Sequence, residues 1–528
     1  MKAIKKIHFQ DIESIPQLIK DFLDRQIAGF SAHTFSLEHF ENQIALKNDF
    51  FTAEQRSILA EALKLQLEDL TLAEVQQNNL EKITDNTTFT VTTGHQLNLF
   101  TGPAYFIYKI IQTIKTALYL KENFPDYHFV PVFWMATEDH DFEEISHFKT
   151  AENFYEIHEP SGGAVGRIKV HHPSFIHDFE TEFKDSVFGT ELILLMKEAY
   201  KPGNTLSQAT KILVQRLFGS YGLLMIDGDD HLLKKEMQEI FKDEILNQSL
   251  KKSSEKTIEF LTERYGKVQV NPREINLFYL TDTRNRIDRT GENYEIIDKN
   301  LKFSEAEILN DLNRFPEKFS PNALMRPVYQ ETILPNLAYI GGNAEIMYWL
   351  ELKDYFASLK LPFPILVPRS SFLFLKEKTL KKAEKMDLKT EEFFSGFAQI
   401  SREKLMKDHE ILKILEEKEN VLIQHFAELR SAAELTDQSF GNLVKAEEAR
   451  QLKSFGRMKK RLLRAEKIKN REFLERLEKL FLEIHPGKNW QERVFNFSVF
   501  YSEYGEAWLK TCLDEMEVTR PELIIIAG

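Results

Sequence analysis

The sequence predicts an α/β protein, in which a parallel sheet covered by helices on both faces is joined to an α-helical hairpin or coiled coil. Three observations support this prediction. Short apolar runs follow amphipathic helix patterns, which is typical of a buried parallel sheet. Polar clusters come directly after those runs. The stretch 377–485 almost lacks glycine and proline and is rich in Lys, Glu and Leu, as long helices are.

The first βαβ unit lies between residues 88 and 147. Residues 88–92 alternate in polarity like a strand, and residues 129–136 form an apolar run of strand length. Between them Gly102 and Pro103 open a helix, whose apolar face recurs at Ala104, Ile107, Ile111, Ile114 and Leu118. The polar clusters that follow the two strands are Gly94-His95-Gln96 and Thr137-Glu138-Asp139-His140.

The same arrangement recurs twice further along the chain. The apolar run 223–226 is followed by Asp227 and Asp229, and the run 365–367 is followed by Arg369 and Ser370. Because the carboxyl ends of parallel strands meet at one edge of a sheet, the four polar clusters are expected to line one crevice.

The helical stretch 377–485 is expected to form a dimerisation arm. Its chain is expected to reverse between 436 and 442. Two apolar stripes precede and follow that point: Ile411, Leu415, Leu422 and Leu429, then Phe455, Leu462, Phe473, Leu477 and Phe481. A projecting hairpin cannot bury the second of these stripes alone, so a homodimer is predicted. The basic stretch 453–471 lies opposite an acidic first helix, which favours salt bridges within the hairpin over nucleic-acid binding.

Three segments therefore make up the chain. Residues 1–376 form the core with N-terminal helices and insertions, residues 377–485 form the arm, and residues 486–528 return to the core. The apolar run 523–526 is expected to add a strand to the main sheet. The core domain is then discontinuous in sequence.

The composition is that of a cytoplasmic globular protein, with 528 residues, 42% hydrophobic and 29% charged, and a net charge of −13. No apolar run of about 20 residues and no secretory signal pattern occurs, so neither a membrane span nor export is expected. The negative net charge argues against a nucleic-acid partner. The single cysteine, Cys512, excludes an intramolecular disulfide and a multi-cysteine zinc site, and its helical setting favours a structural role.

The cluster after the first strand is suited to an anion such as phosphate. The segment Thr93-Gly94-His95-Gln96 offers backbone N–H groups and an imidazole close to a helix N-terminus. The alternative is a structural strand turn, since neither a Walker loop nor a dinucleotide fingerprint is present. In the helix that follows, Tyr105 is expected near the mouth of the crevice and Lys109 at the surface.

The cluster Glu138, Asp139 and His140 follows a strand that contains Trp134. Acid/base chemistry, amine recognition and a metal site completed by His147 are the functional interpretations, and a solvated loop is the alternative. The spacing of the histidines is not a zinc signature, so no metal site is predicted.

Two arginines are placed to hold an anionic substrate. Arg326, with Gln330 one turn later, and Arg369 both lie near predicted crevice elements, although a structural ion pair is the alternative for each. The segment from Tyr339 to Glu345 contains a glycine turn capped by Asn343, which either wraps a ligand or only starts the next helix.

Six segments together resemble the signature blocks of the bacillithiol-forming cysteine ligase family, BshC. In chain order they are TGHQLNLFTGPAYFIYK, PVFWMATEDHDFEE, FGSYGLLMIDGDD, NPREINLF, LMRPVYQETILPNLAYIGGNAEIMYWLELK and FPILVPRSSF. The resemblance implies a Rossmann-like core with connecting insertions, as in class I aminoacyl-tRNA synthetases, and an α-helical coiled-coil arm used in dimerisation. It implies that cysteine is joined to the amine of glucosaminyl-malate by an amide bond, the last step of bacillithiol synthesis.

The resemblance also implies roles for individual residues. ATP or another nucleotide, with magnesium, would activate the cysteine carboxylate and would be held at Thr93, Gly94, Gln96, Asp227 and Asp229. The catalytic candidates are His95, Glu138, Asp139 and His140. The substrate-binding candidates are Tyr105, Trp134, Arg326, Gln330, Tyr339, Glu345, Arg369 and Ser370.

Other interpretations of the activation step and of the function remain possible. The segment that stands where synthetases have their HIGH signature has one histidine, and no KMSKS-like string occurs, so adenylate formation is one route among several. The thiolate ligands of a cysteine-binding zinc are absent. A nucleotide-binding regulatory protein or a scaffold, without catalysis, is the alternative function.

Overall fold

The computed structural model describes all residues, Met1–Gly528, and its contacts divide the chain into two compact units. One unit comprises Met1–Phe374 with Asn489–Gly528, and the other comprises Leu375–Lys488. The strands are Lys2–His8 (β1), Thr88–His95 (β2), His128–Met135 (β3), His147–Lys149 (β4), Phe154–Glu156 (β5), Leu224–Asp227 (β6), Leu277–Leu280 (β7), Arg284–Thr290 (β8), Asn293–Ile296 (β9), Leu301–Ser304 (β10), Phe319–Pro321 (β11), Asn336–Gly341 (β12), Ile365–Pro368 (β13), Ser371–Leu375 (β14) and Glu522–Ala527 (β15).

The α-helices are Gln17–Leu23 (α1), Leu37–Phe50 (α2), Ala53–Gln66 (α3), Glu74–Lys82 (α4), Tyr105–Asn123 (α5), Phe142–Ile145 (α6), Phe175–Phe183 (α7), Gly189–Ala199 (α8), Leu206–Phe218 (α9), His231–Lys235 (α10), Gln238–Asn247 (α11), Ser249–Tyr265 (α12), Glu305–Arg314 (α13), Met325–Ile333 (α14), Asn343–Leu350 (α15), Lys353–Ser358 (α16), Glu377–Lys385 (α17), Phe397–Met406 (α18), Glu410–Ala433 (α19), Gln438–Lys469 (α20), Arg471–Ile484 (α21), Ser498–Tyr504 (α22) and Glu506–Glu515 (α23). None of them combines the length and the apolar character that crossing a membrane requires.

The main sheet is parallel and has the order β13-β12-β2-β3-β6. Every residue of β12 and β13 and almost every residue of β2 and β3 is buried. Because successive side chains point to opposite faces, the sheet must be covered on both faces, as predicted. The threonines of β2 are tolerated there because Thr90 and Thr92 donate their hydroxyl protons to Asn336 Oδ1, at 3.3 and 2.9 Å.

The order of the strands places a crevice between β2 and β12. From β2 the chain proceeds to β3 and β6 on one side of the sheet and only later to β12 and β13 on the other. The two neighbouring strands β2 and β12 therefore form the switch point of the topology, where open α/β sheets bind their ligands. Strand β12 was not among the predicted strands, and its last residues, from Tyr339, were assigned to a glycine turn.

The hydrophobic core lies against this sheet. Helices α2 and α5 pack on it, and their side chains Phe40, Ile44, Ala117 and Leu120 are buried with Phe89, Val91, Phe129, Leu337, Ala338, Ile340, Ile365 and Val367 of the strands. Helix α5 starts just after Pro103, as predicted, and Ile107, Ile111 and Ile114 of its predicted apolar face are buried. Leu118, which was also assigned to that face, is exposed instead. Cys512 is also fully buried, and burial raises the pKa of its thiol, so a structural role fits.

One topological prediction is wrong. The terminal strand β15 does not join the main sheet; it lies between β1 and β14 in a separate three-stranded sheet and is antiparallel to β1. The apolar run 523–526 indicated a buried strand correctly, but such a run does not specify its partner. The partner β1 reads as a weak, lysine-rich strand in the sequence, which hides this pairing.

The remaining strands form a five-stranded antiparallel sheet of order β10-β9-β8-β7-β11 and a two-stranded pair, β4 with β5. The second unit is entirely helical, with α19 and α20 forming the predicted hairpin and Glu434–Asp437 making the turn between them. Within the hairpin Lys459 pairs with Glu419 at 2.5 Å, in agreement with the predicted salt bridging.

Candidate active site

A cavity of about 420 Å³ lies at the carboxyl ends of β2, β3 and β12. Its walls contain Gly94, His95 and Gln96 after β2, residues 134–139 at the end of β3, and Tyr339 with residues 342–345 and Tyr348 at β12 and α15. Much of the remaining wall is formed by Tyr105, Lys109, Arg284, Asn322, Arg326, Arg369 and Arg493. Most of the polar residues predicted from strand ends thus meet at one place.

An ion pair between the buried ammonium of Lys109 and the partly exposed carboxylate of Glu345 closes the floor of the cavity. Lys109 Nζ lies 2.7 Å from Glu345 Oε2 and also donates to the carbonyl oxygen of Gly94. The Tyr339 hydroxyl donates to Glu345 Oε1 at 2.7 Å, and the Gly342 N–H donates to Oε2 at 2.8 Å. Burial opposes ionisation of Glu345, but Lys109 and these donors outweigh it and lower the pKa to about 2.

This arrangement corrects two predictions. Lys109 is not at the surface: its side chain is 2% exposed, since the helix turns it back under the end of β2. Burial lowers its pKa, although Glu345 acts in the opposite direction. The N-cap of α15 is Gly342 and not Asn343, which is already the first residue of the helix. The carboxylate of Glu345, three residues after the cap, accepts the Gly342 N–H.

Arg326 presents a guanidinium group to the cavity from α14. Its carbon Cζ lies 5.7, 5.2 and 5.8 Å from the ring centres of Trp134, Tyr339 and Trp349, which hold the planar group by cation–π contacts. Nη1 donates to Gln330 Oε1 at 3.0 Å. Nη2 is buried and has no well-aligned acceptor, although the Tyr348 hydroxyl lies beside the guanidinium group as a hydrogen-bonding neighbour.

An unsatisfied guanidinium nitrogen in a cavity wall is costly unless an acceptor reaches it. Carboxylates and phosphates suit this geometry, because their two oxygens match the planar fork. Arg326 is therefore the strongest anion-binding candidate of the site.

His95 also lines the cavity and is neutral at physiological pH. Burial lowers its pKa to about 4, and the charge of Lys109 acts in the same direction. Its Nδ1 is 3.0 Å from the carbonyl oxygen of Gln96, which can only accept, so Nδ1 carries the proton. Nε2 is then left with a free electron pair, and it can accept a proton or a hydrogen bond.

The acidic cluster after β3 divides into carboxylates with different partners. Glu138 is paired with the buried ammonium of Lys234, which also donates to the carbonyl oxygen of Phe319 at 2.8 Å. Burial raises the pKa of Glu138, while Lys234 lowers it. Because its charge is already compensated within the protein, Glu138 is poorly placed to act as a free base.

Asp139 is held as a carboxylate. Gln96 Nε2 donates to its Oδ2 at 2.9 Å and the His140 N–H donates to its Oδ1 at 2.8 Å, while Arg284 Nη1 lies 3.6 Å from Oδ1. Burial opposes ionisation, but the His140 and Gln96 hydrogen bonds together with the charge of Arg284 lower the pKa well below its usual range. Asp139 is suited to holding an ammonium group and is a weak base.

His140 itself does not line the cavity. Its Nδ1 lies 3.2 Å from Arg284 Nη1, and its ring packs on Phe278. Potential metal-ligand atoms of Asp139, His140 and Asp141 lie within 4.8 Å of one another. His147 is not among them: it lies on β4 and stacks on Phe154.

The two aspartates after β6 are engaged elsewhere. Arg167 binds Asp229 through Nε and Nη2, both at 2.7 Å. Asp227 accepts from the Thr137 hydroxyl and from the Asp229 N–H, and burial followed by the charge of Asp229 raises its pKa to about 6. Neither lines the cavity, because β6 is the edge strand and lies two strands away from the switch point.

Three other candidates lie behind the walls of the cavity. The Thr93 hydroxyl donates to the carbonyl oxygen of Ile340 at 2.8 Å and joins β2 to β12. Gln330 positions Arg326, and Ser370 accepts the Glu522 N–H at 3.1 Å and so joins β13 to the terminal strand. Thr93, Gln330 and Ser370 are buried. The sequence indicated that they lie near the site, but it does not show in which direction their side chains point.

Arg369 lines the cavity but is already paired. Its Nη2 lies 2.7 Å from Glu492 Oε1, and the two side chains are 4% and 1% exposed. Tyr105 stands over both Arg369 and Arg493, whose Cζ atoms are 5.0 and 5.9 Å from its ring centre. The exposed Arg493 is therefore the more available cation at this end.

Several lining residues were not among the candidates, and those with a charged or polar side chain include Lys109, Arg284, Asn322, Tyr348 and Arg493. Arg284 reaches the site from the start of β8, which belongs to the five-stranded antiparallel sheet and not to the main sheet. Arg493 comes from the segment after the arm. A signal for Lys109 was present, since position 109 continues the buried face of α5 that includes Tyr105.

Comparison with known proteins agrees with this architecture. Residues 3–370 match the family profile described as "Bacillithiol biosynthesis BshC, N-terminal Rossmann-like domain", and residues 372–527 match "Bacillithiol biosynthesis BshC, C-terminal coiled-coil domain". The fold class predicted from the sequence is thereby confirmed.

Full-length relatives carry one name, "Putative cysteine ligase BshC". The protein of Flavobacterium psychrophilum is 41% identical over 517 residues, 97% of each chain. That of Flavobacterium johnsoniae is 40% identical over 515 residues, again 97% of each chain, and that of Cytophaga hutchinsonii is 34% identical over 504 residues, 94% of each chain. With both domain profiles matched in order and relatives of this similarity along the whole length, the chain belongs to the bacillithiol biosynthesis BshC family.

Proposed function

We propose that this chain is a ligase that joins the carboxylate of cysteine to the amine of glucosaminyl-malate after the carboxylate has been activated. The names of the relatives support the reaction class. The observation that carries the choice of acceptor is Arg326, whose buried Nη2 lacks a partner in a cavity wall. A malyl carboxylate supplies the acceptor pair that this group requires.

The rest of the cavity supports the acceptor amine and its attack. Asp139 remains ionised and can hold the ammonium group, which loses one proton to solvent before its nitrogen attacks. The amine nitrogen then forms a bond with the activated carbonyl carbon, and the leaving group departs with the electron pair of the broken bond. The surplus proton on nitrogen passes to His95 Nε2, the neutral acceptor in the same cavity.

His95 is preferred over the neighbouring acids as that acceptor. Glu138 is neutralised by Lys234, and Asp139 has too low a pKa to hold a proton. The pKa of His95, about 4, is high enough for this proton transfer, because the nitrogen of a tetrahedral intermediate is cationic and loses its proton readily.

Activation of the carboxylate requires a co-substrate, for which ATP or another nucleotide with magnesium is proposed. It would convert the carboxylate into a mixed anhydride with a good leaving group. Gly94, Gln96 and Arg493 are the groups that would hold its phosphates, and the Tyr105 ring would border them. Asp227 and Asp229 are excluded from this role by their existing partners.

A homodimer formed through the arm is also proposed. Several apolar side chains of α19 and α20 are exposed within this chain, among them Ile411, Leu429, Leu443 and Ile468. A second copy would bury them, because each copy presents the same stripe.

The test is turnover by the purified protein. Glucosaminyl-malate, isotope-labelled cysteine and Mg-ATP are incubated with it, and mass spectrometry follows a product that equals the sum of the two substrates less one water. Product formation that depends on the nucleotide supports the ligase. Binding of nucleotide or glucosaminyl-malate without product would favour the regulatory alternative, and a protein that binds neither would favour a scaffold.

A further inference from the structure

A second cavity of about 360 Å³ lies in the core unit, bordered by α1, the end of α12 and the end of α15. Part of its wall is apolar, with Leu18, Leu261 and Met347. Its polar residues include Asp21, Arg264 and Glu351. The reaction proposed above does not use this cavity.

Glu351 is the unusual group of this cavity. The residue is 1% exposed, and its Oε1 accepts the N–H groups of Gln269 and Val270 at 3.1 and 3.3 Å. Its Oε2 is buried and has no hydrogen-bond partner in the protein. The oxygen is unsatisfied in either protonation state, since a carboxylate lacks a donor there and a carboxylic acid lacks an acceptor.

Glu351 forms no ion pair within the protein, although Arg264 and Lys267 line the same cavity. Asp21, the other acid of the wall, takes up the available donors: Arg264 Nη2 lies 3.1 Å and the Tyr265 hydroxyl 2.7 Å from its Oδ2. Burial raises the pKa of Glu351 to about 7, while the Val270 and Gln269 N–H groups lower it. A buried carboxylate of this kind is stabilised most by a cationic donor from outside the chain.

We infer that this cavity binds a small molecule with a protonated primary amine, whose ammonium group pairs with Glu351 Oε2 and whose apolar part rests on Leu18, Leu261 and Met347. The site is separate from the first cavity. Helix α15 carries residues of both, with Glu345 and Tyr348 on one side and Met347 followed by Glu351 on another.

The experiment uses the full-length protein with selectively ¹³C-methyl-labelled methionine and propylammonium chloride as the probe. Met347 is one of 11 methionines, and its methyl signal is assigned from Met347→Leu. At about pH 8, where most Glu351 is ionised, propylammonium is expected to shift this signal saturably. Propanol, of the same size but uncharged, and sodium chloride are the matched controls.

Glu351→Gln keeps the shape and the oxygen that accepts the two backbone N–H groups, but it places a donor where Oε2 was. It is expected to weaken propylammonium binding at least about tenfold. Val268→Phe, which narrows the cavity from a loop, is the second variant and is expected to abolish the shift even if Glu351→Gln does not fold. Equal shifts with propanol or salt, no saturable shift, or unchanged affinity in a folded Glu351→Gln or Val268→Phe protein would overturn the inference.

Discussion

Lys109 Nζ lies 2.7 Å from Glu345 Oε2, and this contact joins the helix after β2 to the helix after β12 across the floor of the candidate active site. The two residues are 236 positions apart in sequence. Because the same ammonium also donates to the carbonyl oxygen of Gly94, the pair fixes the two sides of the switch point relative to each other. His95 and Arg326 occupy the walls above it.

Lys109→Met is expected to destabilise the protein more at neutral pH than in acid. Glu345 has a folded pKa of about 2 against a usual value of 4.5, so its charge stabilises the fold above 4.5, and this contribution is lost as the pH falls from 4.5 toward 2. Without Lys109 most of this contribution is absent. Urea unfolding at a series of pH values measures it.

Lys197→Met is the matched control, because Lys197 pairs with Glu180 at 2.9 Å with both side chains nearly half exposed. Its effect on the free energy of unfolding should stay below about 1 kcal/mol. A Lys109→Met defect that is the same at pH 7 and in mild acid would contradict the assigned role of the pair.

Arg326→Lys is expected to weaken the use of glucosaminyl-malate roughly ten- to hundredfold, with a smaller effect on cysteine and nucleotide. Lysine keeps the charge but loses the planar fork, and a charge-assisted hydrogen bond contributes about 1.5–3 kcal/mol. Binding isotherms for each ligand, together with melting temperatures, measure the effect.

Arg369→Met serves as the contrasting variant, since it leaves the buried Glu492 unpaired. It should cost about 3–5 kcal/mol of stability and impair all ligands alike. If Arg326→Lys behaves in this same way, Arg326 is a structural residue and not the malate contact.

Gly94→Ala is expected to fold normally and to lose affinity for the anionic substrate. A methyl group there would lie 3.4 Å from Arg326 Nη1 and 3.6 Å from the Tyr339 hydroxyl, which are ordinary contacts, but it would occupy cavity space beside Arg326. The melting temperature should not fall, while glucosaminyl-malate binding should weaken about tenfold or more. Gly456→Ala, with no neighbour within 4 Å, is the control. Unchanged binding in Gly94→Ala would place the substrate elsewhere.

Removal of the hairpin Glu410–Lys469, closed by a short glycine linker, is expected to convert a dimer into a folded monomer. The apolar side chains that the proposed interface would bury belong to α19 and α20, and the core unit has its own hydrophobic core. Light scattering measures the mass. A truncated protein that remains dimeric would move the interface to another surface.

The sequence predicted the fold well where local pattern and tertiary structure agree. The predicted runs 88–92, 129–136, 223–226 and 365–367 each coincide with a parallel strand, with differences of one to three residues at some ends. Short apolar runs between amphipathic helices have few alternatives. Strand β12 was missed since a proline and an asparagine interrupt its start. The partner of β15 could not be predicted, because pairing with β1 spans almost the whole chain.

The candidate site was predicted less completely. Strand ends identified His95, Glu138 and Asp139 as neighbours, since topology alone brings them together. Which polar group faces the cavity depends on partners that no local pattern reveals. Asp229 and Arg369 are taken up by Arg167 and Glu492, from distant segments.

The most direct test of the proposed ligase is the thiol content of cells that lack this protein and are complemented with the wild type or with His95→Ala. His95 is half-buried at a strand end, so its loss should leave the melting temperature nearly unchanged. His128→Ala, at the opposite end of the sheet and likewise with a pKa lowered by burial to about 4, is the control. The wild type and His128→Ala should restore bacillithiol, whereas His95→Ala should accumulate glucosaminyl-malate without it; wild-type bacillithiol in the His95→Ala cells would contradict the proposed site.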